Sequence, residues 1–429
     1  MVSNTRPRNQ QRHPLHLLNK HPRSAVFLLA ACSALFFSLL IHPRIITGTD
    51  YEVAQDGYDR LAQGLLHYGT LSYYPSTFPT VLRGPAYPAF IAALLAINGS
   101  WYPQSVQCTQ ALFHGCTALL AYGIGLMLFD RKRAFIAGLL TALHPYLIWY
   151  ASKAITESFS TFLFTAVVFC VISLARNPGI VTTLLLGFAL GVSSLCKASF
   201  LPLALLTPVL LALSLSHKHR VRFALGVLAV ALLLVAPWTI RNYNVTHQFI
   251  PVHSLLGYNL RVGDVQAEFY EKAPLSFLQL LSYRDFDISS RGDTISHYGI
   301  RNAETMTALR WDNELLSKSL HRYIHEPLLV LRKLLFGPIM FWTLSSTPLA
   351  TVIISLLQLP LLAIFTVSAV RTFKTRGVFS VQTIPIILVM AYFAFHIPIF
   401  TIARFSVVLV PTMLVCASGW NWRNEKQIL

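Results

Sequence analysis

Four of the chain's 17 acidic residues, Asp50, Glu52, Asp56 and Asp59, fall within ten positions of a 429-residue sequence whose net charge is +17. Side chains of this type do acid–base chemistry. A carboxylate that is partly desolvated and backed by cations can act as a general base toward a hydroxyl or an amine. In the stretch YEVAQDGYDRLAQGLL, Tyr58, Leu61, Ala62, Leu65 and Leu66 recur at helical spacing, which puts Asp56 and Asp59 at the N-terminal turn of the helix. Capping and solvating that helix accounts for the acids when the segment is taken alone.

The element that must position the cluster comes immediately before it. Residues 24–41 are an uninterrupted apolar run of 18 residues, close to the ~20 that a helix needs to cross a bilayer. With 54% hydrophobic and only 12% charged residues, and a mean hydropathy of +0.55, the chain cannot cover a soluble surface. It is read as an all-α polytopic membrane protein. Arg6, Arg8, Arg12, Lys20 and Arg23 precede the first run without an acid among them, which assigns residues 1–23 to the cytoplasm by the positive-inside rule. No Ala-x-Ala-like cleavage site follows the run, so it is expected to stay as an anchor.

Further apolar runs near 108–129, 134–151, 156–174, 179–195, 199–215, 223–239, 348–370, 378–400 and 405–420 predict about ten spans with both termini cytoplasmic. The inner loops then hold Arg131, Lys132 and Arg133, Arg176, Lys218, Arg220 and Arg222, and Arg371, Lys374 and Arg376, with Arg423 and Lys426 closing the chain. Two segments are set apart. Residues 85–97 are too short to span, and residues 326–346 carry Arg332 and Lys333 in their middle. Both are expected as helices at the outer interface, with cationic stems reaching the headgroups.

The outer loops are therefore large. Loop 42–107 holds the acid cluster, and loop 241–347 contains an amphipathic helix expected over 301–325. The organisation is a cytoplasmic tail, 1–23, a transmembrane module, 24–240, that includes the outer loop 42–107, a second outer loop, 241–347, and C-terminal helices, 348–429. Cys32, Cys108, Cys116, Cys170, Cys196 and Cys416 sit in or beside apolar runs without metal-ligand spacing, so no metal site is assigned. A divalent cation is neither required nor excluded by the sequence. No nucleic-acid partner is expected.

Several stretches occur in a telling order. Asp56-Gly57-Tyr58-Asp59-Arg60-Leu61-Ala62 is followed by Leu82-Arg83-Gly84-Pro85-Ala86-Tyr87-Pro88, then Thr156-Glu157, Leu195-Cys196-Lys197, Pro237-Trp238-Thr239-Ile240-Arg241-Asn242-Tyr243, Gly257-Tyr258-Asn259-Leu260, and Ala403-Arg404-Phe405. In this order and loop placement the chain resembles the GT-C superfamily of membrane glycosyltransferases, especially the bacterial branch containing the lipid A aminoarabinose transferase and relatives of the protein O-mannosyltransferases of glycosyltransferase family 39. Lys197 stands where that family often has Arg, and Gly84 where it has Pro.

The resemblance implies a GT-C fold and an inverting enzyme. Such an enzyme moves a sugar from a polyprenyl-phosphate donor to a lipid, glycan or protein acceptor on the extracytoplasmic side of a bacterial-type inner membrane. It implies Asp56 as the base, with Asp50 as its rival, and Arg83, Lys197, Arg241 and Arg404 as cations for the donor phosphate. Glu157, Tyr58, Asn242, Tyr243 and Asn259 are further candidates. Glu157 is also explained by an ion pair with Lys153, four residues before it. The alternative from another class is a transporter or flippase of a lipid-linked or anionic solute. That alternative predicts charged or broken positions at mid-membrane and symmetry between halves.

Overall fold

The computed structural model describes residues 21–42, 56–214, 220–272 and 304–419, the side chains of residues 100 and 269–272 excepted. Asp50, Glu52, Lys218, Arg423, Lys426 and most of the basic tail lie outside the described residues. Among the described residues there is no strand.

The first run forms α1 (Pro22–Phe36), prolonged by a π turn to Ile41. The segment after the acid cluster forms α2 (Tyr58–Tyr68), and Pro85 leads into α3 (Ala86–Asn98). After α4 (Gln104–Leu128), the run at 134–151 departs from expectation. It breaks into α5 (Arg131–Ala142) and α6 (Pro145–Ala151), bent by 49°. Pro145 causes the break, because its ring disfavours helical backbone at the preceding residue, and His144 is extended at φ −68, ψ 116.

Next come α7 (Thr156–Arg176), α8 (Ile180–Cys196), α9 (Leu201–Ser214) and α10 (Arg220–Thr246). Helix α10 continues through Pro237, so Arg241, Asn242 and Tyr243 belong to its last turns and not to a loop beyond it. Then follow α11 (Leu256–Lys272), α12 (Thr305–His325) and α13 (Pro327–Thr343), the last two close to the expected amphipathic and interfacial helices. The chain finishes with α14 (Pro348–Arg376), α15 (Ile384–His396), a 3₁₀ segment Ala403–Leu409 and α16 (Val410–Ser418).

Five helices, α1 with its π turn, α4, α7, α10 and α14, are long and apolar enough to cross a membrane, and the bent α5–α6 pair makes a sixth. Shorter apolar helices run alongside them. Leu184, Leu185, Leu225, Leu233 and Leu356 stand exposed on the outside, where hydrocarbon and not water is their matching solvent. The chain is an integral membrane protein. Helix α4 packs on α1, α5 and α7, α8 packs between α7 and α10, and α16 packs on α5 and α14.

At one end of the bundle, α2, α3, α11, α12 and α13 form a cap. Lys333 of α13 is the anchor of its second half. It is 5% exposed, and it donates to Asp264 (2.8 Å) and to the Tyr323 hydroxyl (2.6 Å), while Ser319 donates to Asp264 at 2.7 Å. The expected snorkelling of Lys333 is therefore corrected: a buried carboxylate holds it inside the cap.

Candidate active site

Asp56 stands just before α2. Gly57 is left-handed (φ 69), a conformation that costs a side-chain-bearing residue, and it turns the chain so that the helix starts only at Tyr58. Asp59, not Asp56, falls in the first helical turn. Asp56 instead meets Arg404, the second residue of the 3₁₀ segment, through a short charged contact between the guanidinium Nη2 and the carboxylate.

The same guanidinium reaches Glu157, with Nε 2.7 Å from Oε1 and Nη2 3.0 Å from Oε2. Lys197, which caps α8, donates to Glu157 Oε1 at 2.8 Å. One arginine thus joins two carboxylates, and a lysine supports the deeper one. Glu157 sits in the first turn of α7, where the helix dipole favours a negative charge. Its side chain is wholly buried, whereas those of Asp56 and Arg404 are each 19% exposed. An incoming molecule can therefore touch Asp56 and Arg404 but not Glu157.

The sequence-level explanation of Glu157 by Lys153 is corrected. Helix α7 begins at Thr156, so Lys153 is not on its surface and the four-residue spacing brings no helical pairing. Lys153 instead lies over the Trp149 ring at 4.7 Å. Burial, and then the nearby Arg404 charge, lower its pKa to about 8, with Glu157 opposing.

Arg83 is the fourth cation, after Arg404, Lys197 and Lys153. Gly84 beside it explains the departure from the family's proline, because a Cβ there would fall 2.1 Å from the Leu195 carbonyl oxygen. The loop therefore lies directly on the end of α8, two residues before Lys197. Burial disfavours the Arg83 charge, but Tyr73, Tyr58 and Asp56 outweigh it and its pKa is raised. For Lys197 too, burial is outweighed by Glu157, and its pKa is raised. The neighbourhood holds two carboxylates against four cations, a surplus that suits an anionic ligand.

Tyr58 is buried and meets Tyr87 edge-on at 5.1 Å. Tyr87 donates to Gln110, whose amide donates to the carbonyls of Ala151 (3.1 Å) and Lys153 (2.6 Å). This chain ties the Asp56 helix to the turn that precedes Glu157. Burial pushes the Tyr58 phenol up, so it stays protonated.

The other candidates lie further round. Arg241 donates to the Thr80 carbonyl at 2.8 Å, in the same loop as Arg83, and stacks over Trp238 at 4.7 Å. Asn242 is buried and donates to the carbonyls of Ile250 and Val252, a structural clamp. Tyr243 is 53% exposed and meets His247 edge-on. Asn259 is partly buried, with its backbone N–H on Leu255.

Sequence reasoning missed His253. The Asn242 clamp folds residues 250–252 back along α10 and delivers His253 to the site, where its Nε2 accepts the Ala198 N–H at 3.3 Å and its Nδ1 bonds the Ser254 carbonyl at 2.9 Å. Burial lowers its pKa to about 4, and Arg83 repels its charged form. Asp312 was missed as well. It accepts from the Ser254 hydroxyl and from the Leu255 and Tyr258 N–H groups, fixing the start of α11. No motif flags either residue. Among the described residues no group of three or more His, Cys, Asp or Glu side chains is arranged to hold a metal ion.

Residues 82–240, the stretch from the Arg83 loop through Arg220–Tyr243's apolar lead, match the family model described as dolichyl-phosphate-mannose-protein mannosyltransferase. The archaeal oligosaccharyltransferase AglB from Archaeoglobus fulgidus, in complex with an inhibitory peptide and a dolichol-phosphate, is similar over 94% of this chain and 50% of its own, with 16% identity and a TM-score of 0.54. The chain shares the fold of that oligosaccharyltransferase, and its residues 82–240 are similar to the mannosyltransferase family. The apo form of the Archaeoglobus fulgidus oligosaccharyltransferase gives a TM-score of 0.56 at 12% identity, covering 93% of this chain and 50% of that one. ArnT from Cupriavidus metallidurans in the apo state is matched at a TM-score of 0.42 and 15% identity, over 93% of this chain and 77% of its own. The chain spans about half the length of the oligosaccharyltransferases it matches. No curated protein sequence matches it.

Proposed function

We propose that this chain transfers a sugar, with inversion, from a polyprenyl-phosphate donor to an acceptor at the membrane surface that carries Asp56. The observation behind the reading is the Arg404 guanidinium shared by Asp56 and Glu157, with Lys197 on the far carboxylate. The family match and the dolichol-phosphate bound to the archaeal oligosaccharyltransferase support a lipid-phosphate donor.

In this mechanism Asp56 takes the proton from the acceptor's hydroxyl or amine as that atom attacks the anomeric carbon. The bond from that carbon to the donor phosphate breaks on the opposite side, and the lipid phosphate leaves with the electron pair. Negative charge grows on the phosphate as it departs, so Arg404 and Arg83 stabilise the transition state more than the bound donor. Arg241, on the far side of the same loop, is assigned to the donor's outer phosphate oxygens. Glu157 is a positioning residue: buried, it orients Arg404 and Lys197. Asp50 remains the alternative base.

Counting Ile180–Cys196, Ala198–Ser214, Ile384–His396 and Ala403–Ser418 as further spans gives ten, with both termini cytoplasmic and the site on the extracytoplasmic face of a bacterial-type inner membrane. Residues 24–240 then form the donor-handling module with the first part of the cap, 241–347 the rest of the cap, and 348–429 the closing helices that bring Arg404. The test is release of lipid phosphate from a radiolabelled polyprenyl-phosphate sugar in membranes, which transport would leave intact. Wild type is expected to release it and Asp56→Asn is not. Release by Asp56→Asn together with a dead Asp50→Asn would move the base to Asp50.

A further inference from the structure

The opposite end of the bundle has a built basic cavity that sugar transfer does not use. Arg404, near the start of the continuous Ala403–Ser418 helix, and Gly419, just past its end, lie fifteen residues apart, roughly 25 Å at helical rise. At the Gly419 end there is a cavity of about 400 Å³, lined by Arg133, Arg371 and Arg376 with Ser368, Thr372 and Gln382 among its walls. Its floor is tied down by the Ser368 hydroxyl, which donates to the Cys416 carbonyl at 2.8 Å and so joins α14 to α16.

Arg133 also lines a second, larger space of about 780 Å³ that runs along the bundle between α5 and α14. Its walls are apolar, with Ile136, Leu140, Leu356, Leu361 and Ile364 prominent. Polar head space and apolar tail space therefore share one residue. The segments Arg131–Arg133 and Arg371–Arg376 bring six cations to this end, and Asp130, 3.4 Å from Arg133, is the acid lining the space.

We propose that this end binds an anionic glycerophospholipid of the surrounding leaflet, with its phosphate among Arg133, Arg371 and Arg376 and an acyl chain along the α5–α14 groove. Arginine forks match phosphate oxygens, and a guanidinium surplus beside a groove open to hydrocarbon complements a molecule that is anionic at one end and apolar at the other. A free phosphate would leave the groove unfilled, and a zwitterionic lipid would set an ammonium against three arginines. The inference stands whether or not the opposite end transfers sugar.

The test is thermal unfolding of the purified chain in neutral detergent, titrated with dioleoylphosphatidylglycerol, dioleoylphosphatidylcholine or inorganic phosphate, with native mass spectrometry to count bound lipid. The phosphatidylglycerol titration is expected to raise Tm saturably with one retained lipid, and the other two are not. Arg371→Gln with Arg376→Gln is expected to weaken the response about thirtyfold. Because that pair of substitutions can disturb insertion, Leu140→Trp serves as a second variant: it fills the groove, leaves the arginines in place and is expected to abolish the saturable shift. Equal shifts with phosphatidylcholine or inorganic phosphate, or a full wild-type response from either folded variant, would overturn the proposal.

Discussion

Two ionic clusters among the described residues, one in the cap and one around Glu157, are built differently. In the cap, Lys333 meets Asp264 with side-chain exposures of 4% and 0%, and Ser319 and Tyr323 complete the carboxylate's bonds. That set is closed. At the bundle end, Asp56 and Arg404 keep 19% exposure each, the cations outnumber the acids, and a single guanidinium spans two carboxylates. An ionic network with no charge to spare and no access holds helices together, whereas one with a surplus and an opening is prepared for a ligand.

The contrast is broken most severely by opening the closed cluster. Lys333→Met leaves Asp264 buried without its cation and is expected to cost about 3–5 kcal/mol, read as a large drop in Tm with activity lost only in proportion to folded protein. A properly folded but inactive Lys333→Met would move that cluster into the catalytic machinery. Arg404→Lys preserves the charge but cannot span two carboxylates, so turnover is expected to fall about 10²–10³-fold at nearly unchanged Tm. Unaltered turnover would reduce Arg404 to an interfacial cation.

A smaller effect separates charge from packing at Lys153. Its pKa is about 8 in the fold against 10.5 unfolded, so the unfolded chain holds the extra proton between those values and stability rises as pH climbs through that window. Lys153 adds to the cation surplus around Arg404 and Glu157, so turnover is expected to fall over the same rise as that charge is lost. Lys153→Met should flatten both curves, and a profile that keeps its alkaline limb would assign that limb to another group. The smallest expected effect is at His253, about 4 in the fold against 6.5 unfolded. Its contribution is complete above pH 6.5 and fades toward pH 4. His253→Gln is expected to lose about 1 kcal/mol at neutral pH and much of that acid slope in a melting series.

The helices were largely legible because hydrophobic runs are their direct cause: the runs near 108–129, 156–174 and 348–370 become α4, α7 and α14. The break at Pro145 was not read, because a hydropathy count over 134–151 passes over a proline that restricts the residue before it. Within the site, the cluster holding Asp56 stood out because carboxylates are scarce in this chain, whereas Lys197 and Arg404 were named through the motifs of the family resemblance. Their meeting could not be read, because Arg404 lies 247 positions from Glu157 and sequence spacing carries no information at that range. Lys153 misled for a physical reason: the four-residue rule applies only inside a helix, and α7 starts after it. His253 and Asp312 act through backbone groups, which no side-chain pattern announces.

The central claim is that Asp56 takes the acceptor's proton while the cations hold the lipid phosphate. Its most direct measurement compares purified wild type and Asp56→Asn for polyprenyl-phosphate binding and for single-turnover release of lipid phosphate from the glycosylated donor. The expected result is donor affinity within a few-fold of wild type and release lost by at least about 10³-fold, since a base acts on the chemical step and not on binding the leaving group. Full-rate release with Asn at position 56 would contradict it.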